Sequence, residues 1–190
     1  LHEHAHPQQP AAAHPDEHAA HVGHALPLDA PLLGTSIYHV EATFTDQHGK
    51  AFDFAAVRGS VVLMTMFYAS CKSICPVLIA QLKQVDEKLP PDVRANTRVV
   101  LISLDPARDS TEKLQELATL HGIADARWRL LPAPEVLGVR YRSLPDGELS
   151  HSPLLALLDR EGVIVTRSEP TAAELDTLIA ATTRVARTRD

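Results

Sequence analysis

The stretch VVLMTMFYASCKSICP, residues 61–76, decides how the rest of the chain is read. Its first half, Val61 to Tyr68, is apolar on both faces, as a central strand of a parallel sheet is when layers cover it on each side. The whole apolar run, Val61 to Ala69, falls far short of the ~20 residues a membrane span needs. Both cysteines of the chain follow, Cys71 and Cys75, four positions apart, with Pro76 directly behind the second. Proline suits the first helical position, so a helix is predicted from about Pro76 to Leu89. Leu78, Ile79, Leu82 and Val85 give that helix one apolar stripe, and Pro90-Pro91 stops it. A buried strand therefore delivers two thiols to the start of a helix.

The elements on either side extend this unit. Residues 37–45 (IYHVEATFT) alternate, DQHG (46–49) reads as a turn, and KAFDFAAV (50–57) alternates again, which predicts a β-hairpin. TRVVLISL (97–104) is a second buried strand. Asp109 and Glu112 stand in capping-box spacing before a helix that runs to Leu120 and ends at Gly122. LLALLD (154–159) and VIVTRS (163–168) form a hairpin, and Thr171 with Glu174 makes a capping box for a last helix. The order is ββ-β-α-β-α-ββ-α. A parallel βαβ core followed by a ββα unit is an α/β, thioredoxin-like fold, here with an added N-terminal β-hairpin.

Residues 35–190 are assigned to this domain and residues 1–34 to a tail. Seven of the 11 histidines fall in the tail: His2, His4, His6, His14, His18, His21 and His24. The spaces between them are mostly alanine and proline without hydrophobic periodicity, so disorder is expected. Imidazole is a favoured ligand of copper, zinc and nickel, and HEHAH (2–6) places three rings where a flexible chain can wrap one ion. The tail is thus a candidate set of secondary metal sites, against the plainer alternative of a polar tether. The chain begins at Leu1, not methionine, and a removed signal peptide or membrane anchor is expected before it. With 45% hydrophobic and 22% charged residues, the 190-residue chain is of globular composition. Its formal charge of −6 and scattered Lys and Arg exclude a nucleic-acid partner.

Two cysteines four apart can form a disulfide, a redox couple or a pair of metal ligands. A stabilising bridge would close a very short loop and gain little entropy. Thioredoxin-type redox motifs have two intervening residues, and here there are three. Zinc asks for four ligands, and no second cysteine pair exists. Two soft thiolates suit Cu(I), or Cu(II) with an imidazole added. At the helix N-terminus the Cys75 thiolate is expected to be stabilised by unpaired N–H groups. A peroxidase is disfavoured, because Tyr68 stands where such a site has threonine, three residues before the first cysteine. Outside the tail, His39 and His48 belong to the first hairpin, and His121 sits at a helix C-terminus, where it is favourable for local reasons. His151, in PDGELSHSP (145–153), feeds directly into a buried strand on the side facing the cysteines. Spacing alone does not choose among these chemistries.

Taken together, TDQHGK (45–50) with Arg58-Gly59 after it, FYASCKSICP (67–76), SLDPARD (103–109), RWRLL (127–131) and LPDGELSHS leading to LLALLDREG (144–162) resemble the Sco (SenC) family of copper chaperones. CxxxCP, DPxRD and a downstream histidine in this order are strongly specific. The resemblance implies a mononuclear copper site made by Cys71, Cys75 and His151. It implies copper delivery to, or thiol reduction at, the binuclear copper site of cytochrome c oxidase or a related copper enzyme. The expected partners are the copper-site subunit of a terminal oxidase and another periplasmic copper chaperone. The expected setting is the periplasm, for a monomer reaching the membrane only through a removed anchor. Any enzymatic activity would be thiol–disulfide reduction through Cys71 and Cys75; a copper-buffering role is the alternative that the tail favours. Two departures from the family stand out. Lys72 replaces a frequent proline after the first cysteine, and PAPEV (132–136) stands where relatives carry a helix.

Overall fold

The computed structural model describes residues 35–133, 142–143, 149–150 and 154–188. A five-stranded sheet lies at its centre, in the order β5-β4-β3-β8-β9. Strands β3 (Val61–Phe67), β4 (Thr97–Ser103) and β5 (Trp128–Pro132) run parallel. Strand β8 (Leu155–Leu158) runs antiparallel to β3, and β9 (Ile164–Ser168) antiparallel to β8. The N-terminal hairpin is a separate two-stranded sheet, β1 (Phe44–Thr45) with β2 (Ala51–Phe52). A further short pair joins β6 (Arg142–Ser143) to β7 (Leu149–Ser150).

The two faces of the sheet are covered differently. Helices α1 (Ile74–Lys88), α3 (Thr111–Leu120) and α4 (Ala172–Arg187) pack on one face through Leu78, Leu82, Leu114 and Leu178 against Leu63, Leu101 and Leu130. The hairpin covers the other face with Phe44, Phe52 and Phe54 over Val62, Val100 and Ile102. Phe54 meets Phe44 and Phe52 edge-on, with ring centroids 5.1 and 5.9 Å away. Burying apolar area on both faces is what the uninterrupted apolar runs of β3 and β4 require.

The hairpin is shorter than the alternation of 37–57 suggests. Ile37–His39 and Phe54–Val57 are 3₁₀ turns, because Ser36 and Asp53 accept the N–H groups of Tyr38 and Ala56 and so cap turns. Gln47, from the hairpin turn, is buried. Its amide donates to the Trp128 carbonyl and accepts from the Leu130 N–H, both at 3.0 Å. One side chain thereby bonds backbone groups on the open edge of β5, where the Trp128 carbonyl also accepts from Arg129.

Several helix ends differ from expectation. Helix α1 begins at Ile74, so Pro76 is its third residue; it ends at Lys88, and Pro91 opens the extra short helix α2 (Pro91–Ala95). Ser110, not Asp109, caps α3, accepting from the Lys113 N–H. Thr171 caps α4 without a side-chain bond, and the Glu174 carboxylate accepts the Ser168 hydroxyl at 3.2 Å, so no capping box closes. Gly122 does end α3, in the left-handed region at φ +63°. Gly162 (φ +76°) lets the β8–β9 turn pass beneath Ile37 and Tyr38, whose side chains would lie within 3 Å of any Cβ there. The PAPEV stretch from Pro134 onward, the histidine tail and His151 lie outside the described residues.

Candidate metal centre

Strand β3 ends at Phe67, tied across to β4 by the Leu104 N–H bonding the Phe67 carbonyl at 2.7 Å. The chain then turns: the Cys71 N–H donates to the Tyr68 carbonyl, and helix α1 starts three residues later. Cys71 and Cys75 are both buried, and no disulfide joins them. Cys75 is the second residue of α1, and its N–H points at the Cys71 sulfur, 3.4 Å away. The Ser73 hydroxyl lies 3.7 Å from the same sulfur. Ser73 itself, at the N-cap, makes no side-chain capping bond.

The sulfur that accepts the helix-terminal N–H is therefore that of Cys71, whereas the sequence pointed to Cys75. Burial pushes the Cys71 thiol up. The Cys75 thiol and N–H and the Ser73 N–H and hydroxyl outweigh it, and the net shift is downward. A thiol held this way ionises more readily, and the thiolate is both the nucleophile and the metal ligand.

A buried carboxylate fixes the loop from behind. Asp109 Oδ2 accepts the Ala69 N–H at 2.8 Å and the Ser103 hydroxyl at 2.6 Å. The Ser103 oxygen in turn accepts the Asp105 N–H. Asp109 Oδ1 is buried without a hydrogen bond, with the Lys113 ammonium 3.7 Å away. Asp105, from the same SLDPARD segment, is engaged with Arg108. Through its bond to Ala69, two residues before Cys71, Asp109 is thus a positioning residue, where spacing pointed only to a helix cap.

Beside the thiols is a small cavity of about 30 Å³, lined by Phe67, Tyr68, Ile79, Leu117 and His121 together with both cysteines. His121 is the C-cap of α3, and its carbonyl accepts from Lys83. Burial, and secondly the Lys83 charge, hold its imidazole below the usual value, so the ring is neutral at neutral pH. The sequence places His121 at a helix end; only the packing of α3 against α1 brings it to the cysteines.

The donor set fits a soft cation in part. Two sulfurs one helical turn apart suit a metal that prefers thiolate. Among the described residues no group of three or more His, Cys, Asp or Glu side chains gathers to hold a metal ion. A metal that takes a third donor would draw it from outside the described group. The described chain before β8 leads from this end of the sheet: Leu155 pairs with Thr65 near the end of β3, and the Thr65 hydroxyl donates to the Leu154 carbonyl at 2.8 Å.

A parallel βαβ unit, a following ββα unit and a paired-cysteine loop at a helix start define a thioredoxin-like thiol protein. The SCO1/SenC family model matches residues 34–131, and the chain belongs to that family. A Stutzerimonas stutzeri protein named for copper binding is 25% identical over 126 residues, 62% of this chain; the chain spans only 62% of that relative's length. Solved structures share the fold. A Bacillus anthracis SCO1/SenC lipoprotein has a TM-score of 0.66 at 20% identity, covering 83% of this chain and 100% of that one. Copper-bound ScoI of Bradyrhizobium japonicum has a TM-score of 0.63 at 22% identity, covering 75% and 96%. BsSco, a cytochrome c oxidase assembly protein with a disulfide switch, has a TM-score of 0.64 at 21% identity, covering 80% and 95%.

Proposed function

We propose that this domain carries one copper ion as cargo, bound by Cys71, Cys75 and His151, and delivers it to the copper-site subunit of a terminal oxidase or related copper enzyme. The observation that carries the reading is the Cys71 sulfur held at the start of α1 beside the Cys75 thiol. Family membership and the copper-bound relatives support it. Asp109 holds the loop, and burial keeps water from competing for the sulfurs. His151 is the proposed third ligand, on a segment that enters β8 at the cysteine end of the sheet. The histidine tail, residues 1–34, is proposed as a separate reservoir whose weaker sites keep copper near the domain. A periplasmic domain held by an anchor is the proposed setting, supported by the lipoprotein relative. No described helix is long and apolar enough to cross a membrane.

A second reading uses the same thiols. The lowered Cys71 thiol favours attack on a partner disulfide. The Cys71 thiolate would form a mixed disulfide and release one partner thiolate. Cys75 would then attack the Cys71 sulfur and release the other, leaving a Cys71–Cys75 disulfide and a reduced partner.

Copper titration of the reduced full chain tests the copper reading. The expected result is one tight thiol-dependent equivalent, lost in Cys71→Ser and Cys75→Ser, plus weaker equivalents removed by deleting residues 1–34. The weaker class should be lost below about pH 6, where histidines protonate. His151→Ala should change the thiolate-to-Cu(II) charge-transfer band, while Cu(I) remains on the two sulfurs. Tight binding that survives both serine variants would overturn the chaperone reading. An unchanged band in His151→Ala would remove that residue from the site.

A further inference from the structure

We infer that the domain has a second ligand site, for a small organic anion with an apolar body, at the pole of the sheet opposite the cysteines. A cavity of about 200 Å³ opens there between the hairpin and the beginnings of β4 and β5. Phe52 and Val57, both buried, form its apolar wall. Lys50, Arg98 and Arg129 line it as cations.

The two arginines are braced in the same way on neighbouring strands. Arg98 Nη1 donates to the carbonyls of Ala95 and Thr97, at 2.9 and 3.0 Å. Arg129 Nη1 donates to those of Ala126 and Trp128, at 2.6 and 2.9 Å. Each guanidinium is fixed through one nitrogen. Arg98 keeps its other N–H groups without a partner among the described residues, and Arg129 Nε faces Asp46 Oδ2 at 3.5 Å. Fixing a planar fork in advance lowers the ordering cost of binding a carboxylate or phosphate.

The charge at the cavity is unbalanced. Arg127 also lines it but is spent on Asp86 and Asp125. Asp46 is the one carboxylate in the lining, and its Oδ1 already accepts the N–H groups of His48 and Lys50. Lys50 forms no ion pair among the described residues, and neither does Arg98. Three cations thus face one carboxylate in a chain whose net charge is −6. The cationic excess is local, and it sits beside an apolar wall. That combination takes an anionic head on a short apolar stem, the anion being phosphate or carboxylate.

The test is titration of the ¹⁵N-labelled full chain with phenyl phosphate, followed by backbone amide shifts. Saturable shifts centred on Lys50, Arg98 and Arg129 are expected, weakening as salt is added. Arg98→Gln should weaken binding roughly tenfold or more, the usual effect of losing a charge-assisted contact. Lys50→Gln, which changes an exposed side chain and cannot disturb the core, should weaken it several-fold. Linear, non-saturating shifts overturn the site, as does saturation that neither variant alters. Co-sedimentation with phosphatidylglycerol vesicles identifies the source of the anion. Sedimentation lost in Arg98→Gln assigns the phosphate to a lipid headgroup; saturation by phenyl phosphate without sedimentation assigns the site to a free anion.

Discussion

The Cys71 sulfur does at the start of α1 what a serine or aspartate oxygen does at an ordinary helix: it accepts an N–H that the helix leaves unpaired. A sulfur in that position gains negative charge at low cost, and a thiolate's lone pairs are what a soft metal or a partner disulfide would meet. In the reduced, metal-free chain, alkylation of Cys71 by iodoacetamide should reach half its plateau rate below the ordinary thiol pKa of about 8.5. Ser73→Ala removes a hydroxyl beside the sulfur and should move that midpoint upward. Site-resolved mass spectrometry across pH reads both; a wild-type midpoint at or above the free-thiol value would refute the electrostatic role given to the helix start. The spacing of Cys71 and Cys75 made the pair legible in the sequence. Which sulfur occupies the helix terminus was not, since that depends on the turn at Tyr68 and on the start of α1 at Ile74. Nor could His121 be read as a neighbour of the thiols, because no local signal reports the packing of α3 against α1.

At the scale of elements, the long apolar runs were the readable part. Strands β3, β4 and β8 and helices α1, α3 and α4 stand close to where periodicity puts them, because burial of those faces decides their conformation. Two departures from the sequence pattern arise where a side chain is claimed by a distant partner. Asp109 has capping-box spacing with Glu112, but it is pulled inward to Ala69, 40 residues away in sequence, and Ser110 caps the helix instead. Strand β5 went unrecognised because part of what secures it is the Gln47 amide of the hairpin turn. Both devices have measurable weight. Asp109→Ala leaves the Ala69 N–H and the Ser103 hydroxyl without their acceptor. It should cost on the order of 1–3 kcal/mol in urea unfolding and speed hydrogen exchange at Ala69 and Cys71. Unchanged exchange at those two amides would mean that Asp109 does not hold the cysteine loop. Gln47→Ala strips β5 of two bonds and should cost about 1–3 kcal/mol by the same reasoning, read as a lower thermal midpoint by Trp128 fluorescence. No loss of stability would show that water replaces the amide.

The whole molecule sets its thiols and its arginines at two poles, with a buried ion cluster near the second. The thiols occupy the carboxyl ends of the parallel strands, and the arginines of β4 and β5 occupy the amino ends. Asp86 of α1, almost completely buried, joins three elements near the arginine pole. It bonds Arg127, next to β5, at 2.5 and 3.0 Å and Arg94 of α2 at 2.9 Å. Burial pushes the Asp86 carboxyl up, but Arg127 and then Arg94 outweigh it, and its net shift is downward. A carboxyl whose folded pKa is depressed stabilises the fold fully above its unfolded value, about 3.9, and loses that contribution as pH falls through the folded value. Asp86→Asn keeps the shape and removes the charge, leaving Asp125 as the one carboxylate paired with Arg127 among the described residues. Breaking a fully buried pair costs about 3–5 kcal/mol; with Arg94 half-exposed, about 2–3 kcal/mol is expected at neutral pH. Denaturant midpoints measured from neutral pH into the acid range should show the wild-type advantage shrinking below about pH 4, where the carboxyl protonates in the unfolded chain while the folded one still holds its charge. A difference between the two proteins that stays constant across that range would mean Asp86 acts by packing and not by charge.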